Sequence, residues 1–483
     1  MGFLSSIKKT WKSVRTWTWH HAAVFIMTFL SYAFFHACRK SFSNIKNTWD
    51  KSFSPQNNTC PMFPKDVWQK EQIFGTVKDA NVFLGELDSL FLIAYAIGLF
   101  FSGMIGDRVN LRYMLAFGMC SSAILTFLFG YISEVIHMEN LFYYRCIYFL
   151  NGLCQSTGWP ASVAIMGNWF SKSSGGLVFG FWSGNASFGN IIGSLVVSAV
   201  LSYGYEYGML LNSVLLFCGG VIIFFCLIVH PQDVGLEGPE HKDNTVKVIS
   251  QSEDHVVKAG KAIGFFEAFL LPGVLPYALS YACLKLVNYA FFFWLPTYLT
   301  QGLGWSDTLS DELSNFYDLG GIFGGILAGI VTDLMGIRSP MVSLMLFLSM
   351  GSMYLYASIG STKAINTLVM VLTGFLLGGP ANTISTAITA DLGKHEKIKG
   401  SAEALATVTG IIDGTGSAGA AIGQYLVGVI DNNLSWHYVF YFLIVMTGLS
   451  LICIIPMNIK DLKNFQDRRR AQNYQRIPAN EVE

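Results

Sequence analysis

Long apolar runs separated by short polar ones dominate this chain. About 20 apolar residues suffice to cross a bilayer as a helix, and twelve stretches are that long: 21–46, 84–104, 113–132, 142–167, 177–201, 208–229, 273–299, 313–332, 340–358, 367–390, 401–430 and 438–456. The pattern predicts an all-α membrane protein of twelve transmembrane helices. Composition agrees, with 52% hydrophobic and 13% charged residues among 483; soluble domains carry about 25% charged residues.

Charge fixes the expected orientation, because cytosolic loops collect lysine and arginine. The N-terminal lysines, Arg108 and Arg112, Lys172, the lysines of 242–261, Arg338, Lys394–Lys399 and the Lys460–Arg476 cluster fall on one side, leaving Lys51, Lys65, Lys70, Lys78 and Lys363 opposite. Both termini are therefore expected in the cytosol. The implied organisation is a cytosolic N-terminus (1–20), a six-helix half (21–230) with a lumenal loop (47–83), a cytosolic linker (231–262), a second six-helix half (263–456) and a cytosolic tail (457–483). The basic, Trp-rich start running straight into a long span reads as no cleavable signal peptide. Eight of nine cysteines lie in apolar segments and read as packing residues, with Cys60 alone in a loop.

The two halves echo each other. Gly103-Met-Ile-Gly-Asp107-Arg108-Val-Asn-Leu-Arg112 follows the second span, and Gly329-Ile-Val-Thr-Asp333-Leu-Met-Gly336-Ile-Arg338 follows the eighth. Six-plus-six spans with such loops resemble the major facilitator superfamily, whose halves rock about a central site. Asp107, Arg108, Arg112, Asp333 and Arg338 are accordingly read as gating and structural residues, pairing at the membrane surface. Glycines cluster at the eighth and eleventh spans, where small residues let helix backbones approach closely.

The candidate chemistry sits in the first span. Ser31-Tyr-Ala-Phe-Phe-His-Ala-Cys-Arg39-Lys40-Ser-Phe-Ser43 places two full charges in an apolar helix, which costs from a few to roughly ten kcal/mol or more. Helical spacing puts Tyr32, His36, Arg39 and Ser43 on one stripe, with Lys40 one turn beyond His36. Such a stripe is suited to an anion. Arginine favours phosphate because its planar fork donates two parallel hydrogen bonds. A lysine buried in the seventh span, Lys285, has Tyr281 and Asn288 on its face, and Trp159-Pro160 shapes the fourth span. Asp88, Asp318 and Asp413 are candidate charge partners. An ion pair of Lys285 with Asp318 or Asp413 is the structural alternative to a binding role. Two facing cations, Arg39 and Lys285, suggest that carrier without substrate resists closure.

Four segments together resemble the sugar-phosphate exchanger family, solute carrier family 37, in the organophosphate:phosphate antiporter branch. They are the Tyr32–Lys40 stripe; Gly152-Leu-Cys-Gln-Ser-Thr-Gly-Trp159-Pro160 with Gly167-Asn-Trp-Phe170; Tyr281-Ala-Cys-Leu-Lys285-Leu-Val-Asn288-Tyr289 through Pro296; and Gly378-Gly-Pro-Ala-Asn382 with Ala390-Asp-Leu-Gly393. The likeness covers essentially the whole chain. It implies exchange of a phosphorylated small molecule for inorganic phosphate, with Arg39 matching the family's phosphate-gripping arginine. The chain departs from bacterial relatives at Asn288, where they carry arginine, and at Leu99, where they carry lysine. The implied substrate-binding set is Arg39, Lys40, His36, Tyr32, Lys285, Asn288, Tyr281 and Trp159.

The alternatives are a transport-deficient membrane scaffold or assembly subunit, and a proton-coupled exporter of other phosphorylated or phosphonate solutes. No catalytic motif, metal-ligand cluster, cofactor motif or nucleic-acid signature is present, so the expected partners are the anionic substrate, inorganic phosphate and the lipid bilayer. An accessory membrane subunit is not readable from the sequence. Asn57-Asn-Thr59 is a glycan acceptor in the lumenal loop. Tyr474-Gln-Arg-Ile477 has the tyrosine-x-x-hydrophobic form read by sorting adaptors, which favours an endolysosomal membrane over the endoplasmic reticulum.

Overall fold

The computed structural model describes residues 17–52, 77–170, 175–200, 203–237, 264–360, 362–393 and 405–474, all helix and connecting turns. Asn57 and Ile477 lie outside these residues, as does most of the 231–262 linker; Tyr474 ends the last helix.

The first set of helices is α1 (Trp19–Ser52), α2 (Val77–Gly106), α3 (Leu111–Phe127), α4 (Leu141–Gln155), α5 (Gly158–Trp169), α6 (Gly175–Trp182), α7 (Asn185–Val200) and α8 (Tyr205–Cys226). After the short α9 (Phe265–Phe269) come α10 (Val274–Thr297), α11 (Asp307–Met335), α12 (Ser339–Ser358), α13 (Lys363–Thr383), α14 (Leu405–Asn433) and α15 (Trp436–Tyr474). Asparagines start two of them: the side chains of Asn110 and Asn140 accept from the backbone N–H of Arg112 and Phe142, filling donors that a helix start leaves open. Gly336 ends α11 in the left-handed region, at φ 68°, which a side chain disfavours.

Among the described residues, nine helical segments are each long and apolar enough to cross a membrane. The three other predicted spans fall on helices too. The fourth is built of α4 and α5, which meet at Ser156–Thr157, and the fifth of α6 and α7, which meet at Ser183–Gly184; the eleventh is the single helix α14. The surface is inverted relative to a soluble protein. Phe117, Phe347 and Ile452 are 60–65% exposed while Arg39, Lys40, Lys285 and Asp413 are 2–4% exposed, the arrangement a lipid solvent demands.

Packing repeats between the two sets. In the first, α1 lies against α7 and α8, α2 against α4, and α3 against α4 and α8; in the second, α10 lies against α14 and α15, α11 against α13, and α12 against α13 and α15. The sets join through α2 on α14 and through α6 and α7 on α11. Glycine permits the closest approaches. A Cβ on Gly320 of α11 would stand 2.1 Å from the Val371 carbonyl oxygen of α13, and one on Gly419 of α14 would stand 2.4 Å from the Ala282 carbonyl oxygen of α10.

The echoed loops behave differently from one another. Arg338 pairs with Asp333 (3.4 Å) and more closely with Asp391 (2.7 Å). Asp107 instead turns its carboxylate to the other set, accepting from the backbone N–H of Ala406 and Thr407 at 3.0 and 2.8 Å. There it caps the start of α14, where negative charge is favoured. Arg112 bonds Tyr113 rather than Asp107, and Arg108 folds back on the Met104 carbonyl. The expected surface pairing thus holds in the second loop, while the first loop joins the two sets.

Candidate functional site

α1, α5, α7, α10, α11, α13 and α14 surround a central cavity whose empty volume is about 920 Å³. Tyr32, His36, Lys40, Trp159, Tyr281, Lys285 and Asn288 all line it, together with Asp318, Asp413, Asn190 and Tyr289. Seven of the eight residues expected to bind substrate therefore line one cavity. Asp88 is buried on α2 outside that lining.

Arg39 is the exception. On α1 the ridge facing the cavity is 32–36–40, four residues per step, and Arg39 is turned about 100° from Lys40 into the wall between α1, α2 and α4. Its Nε and Nη2 both donate to Gln155 Oε1, at 3.3 and 3.2 Å, and its Nη1 donates to the Tyr289 hydroxyl at 2.7 Å. The Tyr95 ring lies 4.6 Å and the Phe91 ring 5.3 Å from the guanidinium carbon, a cation–π arrangement that offsets part of the cost of burial. Among the described residues all its hydrogen bonds go to neutral groups.

The other two cations have different surroundings. Lys285 donates to Asp413 Oδ1 at 2.7 Å and to Ser417 at 2.8 Å. The two facing cations expected to hold the halves apart are therefore not both bare: α14 supplies a carboxylate to Lys285 within its own set. Lys40 reaches across the sets, donating to the Phe292 carbonyl at 3.3 Å with the Phe292 ring 4.7 Å away. Asp318, a candidate partner for Lys285, accepts instead from Asn190 Nδ2 at 2.9 Å.

His36 Nδ1 meets Asn190 Oδ1 at 3.0 Å, so the His36–Asn190–Asp318 chain ties α1 to α7 and α11. A second chain runs from the Tyr32 hydroxyl to that of Tyr95 (3.3 Å), which donates to Asp413 (3.5 Å). Asn288 accepts from Tyr317 at 2.8 Å, and Trp159 stacks on Trp182 and meets the Tyr32 ring at a tilt. Arg145, near a helix start, forms a half-exposed pair with Glu86 at 2.8 Å.

Gln155, Tyr289, Asn190 and Tyr95 were missed as site residues. The first two lie inside quoted motifs, and only the polar character of Gln155 in an apolar span marked it. Nothing in local sequence says that Tyr289 reaches a residue 250 positions away. With Arg39, Lys40, Lys285, Asp318 and Asp413 all ionised, three cations against two carboxylates leave a surplus of one positive charge at and beside the cavity.

Comparison with known proteins places this geometry. Residues 72–402 match the Major Facilitator Superfamily model. A mouse protein named sugar phosphate exchanger 3 is 49% identical over 473 residues, covering 94% of this chain and 96% of its own. The chain belongs to the major facilitator superfamily, in its sugar-phosphate exchanger family. A putative glycerol-3-phosphate transporter 1 of Arabidopsis thaliana is 38% identical, covering 95% of this chain and 92% of its own. A zebrafish glucose-6-phosphate exchanger is 36% identical, covering 93% and 94%. Among solved structures, that of the proton:xylose symporter XylE superposes with a TM-score of 0.64 over 90% of this chain and 95% of its own at 11% identity, which supports the superfamily fold.

Proposed function

We propose that this multi-pass membrane protein is a secondary transporter that exchanges phosphorylated organic anions, sugar phosphates foremost, for inorganic phosphate by alternating access. It is a transporter and not an enzyme. One observation carries the reading: a guanidinium 2% exposed in the bundle interior whose hydrogen bonds, among the described residues, all end on neutral groups. A charge so placed is retained in a membrane helix where an anion comes to meet it. Lys40 and Lys285, from opposite sets, add point charges beside it. The names borne by the relatives supply the substrate class, and none of them favours a scaffold. Twelve crossings in two six-helix halves, with both termini cytosolic, are the topology that goes with this mechanism.

The test is phosphate binding to the purified protein. Arg39→Lys keeps the charge but loses the fork; a charge-assisted hydrogen bond contributes about 1.5–3 kcal/mol, so binding weakens roughly ten- to a hundredfold. Wild-type affinity in Arg39→Lys would move the phosphate site elsewhere. Residence in an endolysosomal membrane is the accompanying proposal, supported by the Tyr474–Ile477 pattern. An unaltered cellular distribution of Tyr474→Ala would remove that support.

A further inference from the structure

Four side chains hold the Arg39 guanidinium. The neighbouring Phe91 and Tyr95 rings, 6.1 Å apart, pack beside it, Gln155 accepts from Nε and Nη2, and the Tyr289 hydroxyl accepts from Nη1. Of these four groups only Tyr289 lines the cavity, and Arg39 itself does not. A phosphate in the cavity therefore meets Arg39 from the Tyr289 edge. Tyr289 belongs to α10 and Arg39 to α1, so their hydrogen bond also ties the two helix sets together, beside the Lys40–Phe292 bond.

We propose that Tyr289 is the acceptor that phosphate replaces on Arg39, and that it thereby sets both phosphate affinity and the tightness of exchange. The inference rests on the reading of Arg39 as the phosphate site. A phenol oxygen is a neutral acceptor and phosphate a charged one, so the replacement favours phosphate, but every binding event must first break the 2.7 Å bond. In carrier without substrate the same hydroxyl supplies the α1–α10 link that phosphate supplies when bound. Such carrier can close and return, so the native protein runs some net efflux alongside exchange.

Tyr289→Phe separates the two consequences. It keeps the ring that packs on Phe292 and Phe293 and removes only the competing hydroxyl. In liposomes loaded with labelled phosphate, efflux is measured with and without phosphate outside, and phosphate affinity is measured on the same purified protein. The expected result is about tenfold tighter phosphate binding, with exchange retained and net efflux reduced several-fold relative to it. Tyr289→Leu, which also clears the ring, moves both quantities in the same direction. Unchanged or weaker binding in Tyr289→Phe with an unchanged ratio of fluxes, while Arg39→Ala abolishes binding, overturns the role of Tyr289 and leaves the phosphate site standing. A merely structural tyrosine would lower both fluxes together. Wild-type binding in Arg39→Ala overturns the site and the inference with it.

Discussion

Lys285 and Asp413 show how membrane burial makes single charges interdependent. Each is under 5% exposed and they meet at 2.7 Å, so neither has water to fall back on. Removing one partner of a buried pair leaves an uncompensated charge at a cost of about 3–5 kcal/mol, whereas replacing both by apolar groups is often neutral. Asp413→Asn is accordingly expected to lower the melting temperature of the purified protein sharply, and Lys285→Met with Asp413→Leu to recover most of the loss. A single variant as stable as the wild type would mean that Lys285 is not held by Asp413. The pair is one of the two alternatives that the sequence offers for Lys285, because two oppositely charged residues in apolar spans have few places to go. The orientation of Arg39 was less legible. A stripe drawn through 32, 36, 39 and 43 and one drawn through 32, 36 and 40 both fit a helix of 3.6 residues per turn. Which one faces the cavity depends on how α1 is rotated, and Gln155 and Tyr289, far away in sequence, settle that.

Helices were legible wherever hydropathy was continuous. The predicted span 21–46 lies within α1, and 273–299 covers the whole of α10. The α4/α5 and α6/α7 junctions were not read, since Ser156–Thr157 and Ser183–Gly184 interrupt helical geometry without interrupting apolarity. The glycine-rich eighth span was read as a packing surface, and α11 against α13 bears this out: a Cβ on Gly320 meets backbone at 2.1 Å, while one on Gly351 of α12 meets nothing within 4 Å. Backbone cannot yield as a side-chain tip can. Gly320→Ala should therefore cut the yield of monodisperse protein severely and Gly351→Ala leave it unchanged, as read by size-exclusion chromatography. Equal yields would show that α11 and α13 can separate at little cost.

At the scale of the whole molecule, the proposed exchange turns on the joints between the two helix sets. Asp107 fastens the end of α2 to the first turn of α14 through two backbone bonds, so Asp107→Asn should loosen that end. In a cysteine-free background, Ala406→Cys, fully buried at this joint, should label faster with a membrane-impermeant maleimide once Asp107 is changed; equal labelling would mean the cap does not hold the joint. Topology has its own test: a lumenal 47–83 loop, as the charge pattern leads one to expect, predicts that Asn57→Gln removes a glycan-dependent gel shift. The central claim concerns what passes through the cavity, and counterflow in liposomes of purified protein addresses it most directly. Labelled phosphate outside should accumulate when the liposomes are loaded with phosphate or a sugar phosphate, and should not when they are loaded with the unphosphorylated sugar. Arg39→Ala should abolish that accumulation while remaining folded. Accumulation indifferent to internal phosphate, or intact in Arg39→Ala, would contradict exchange at this site.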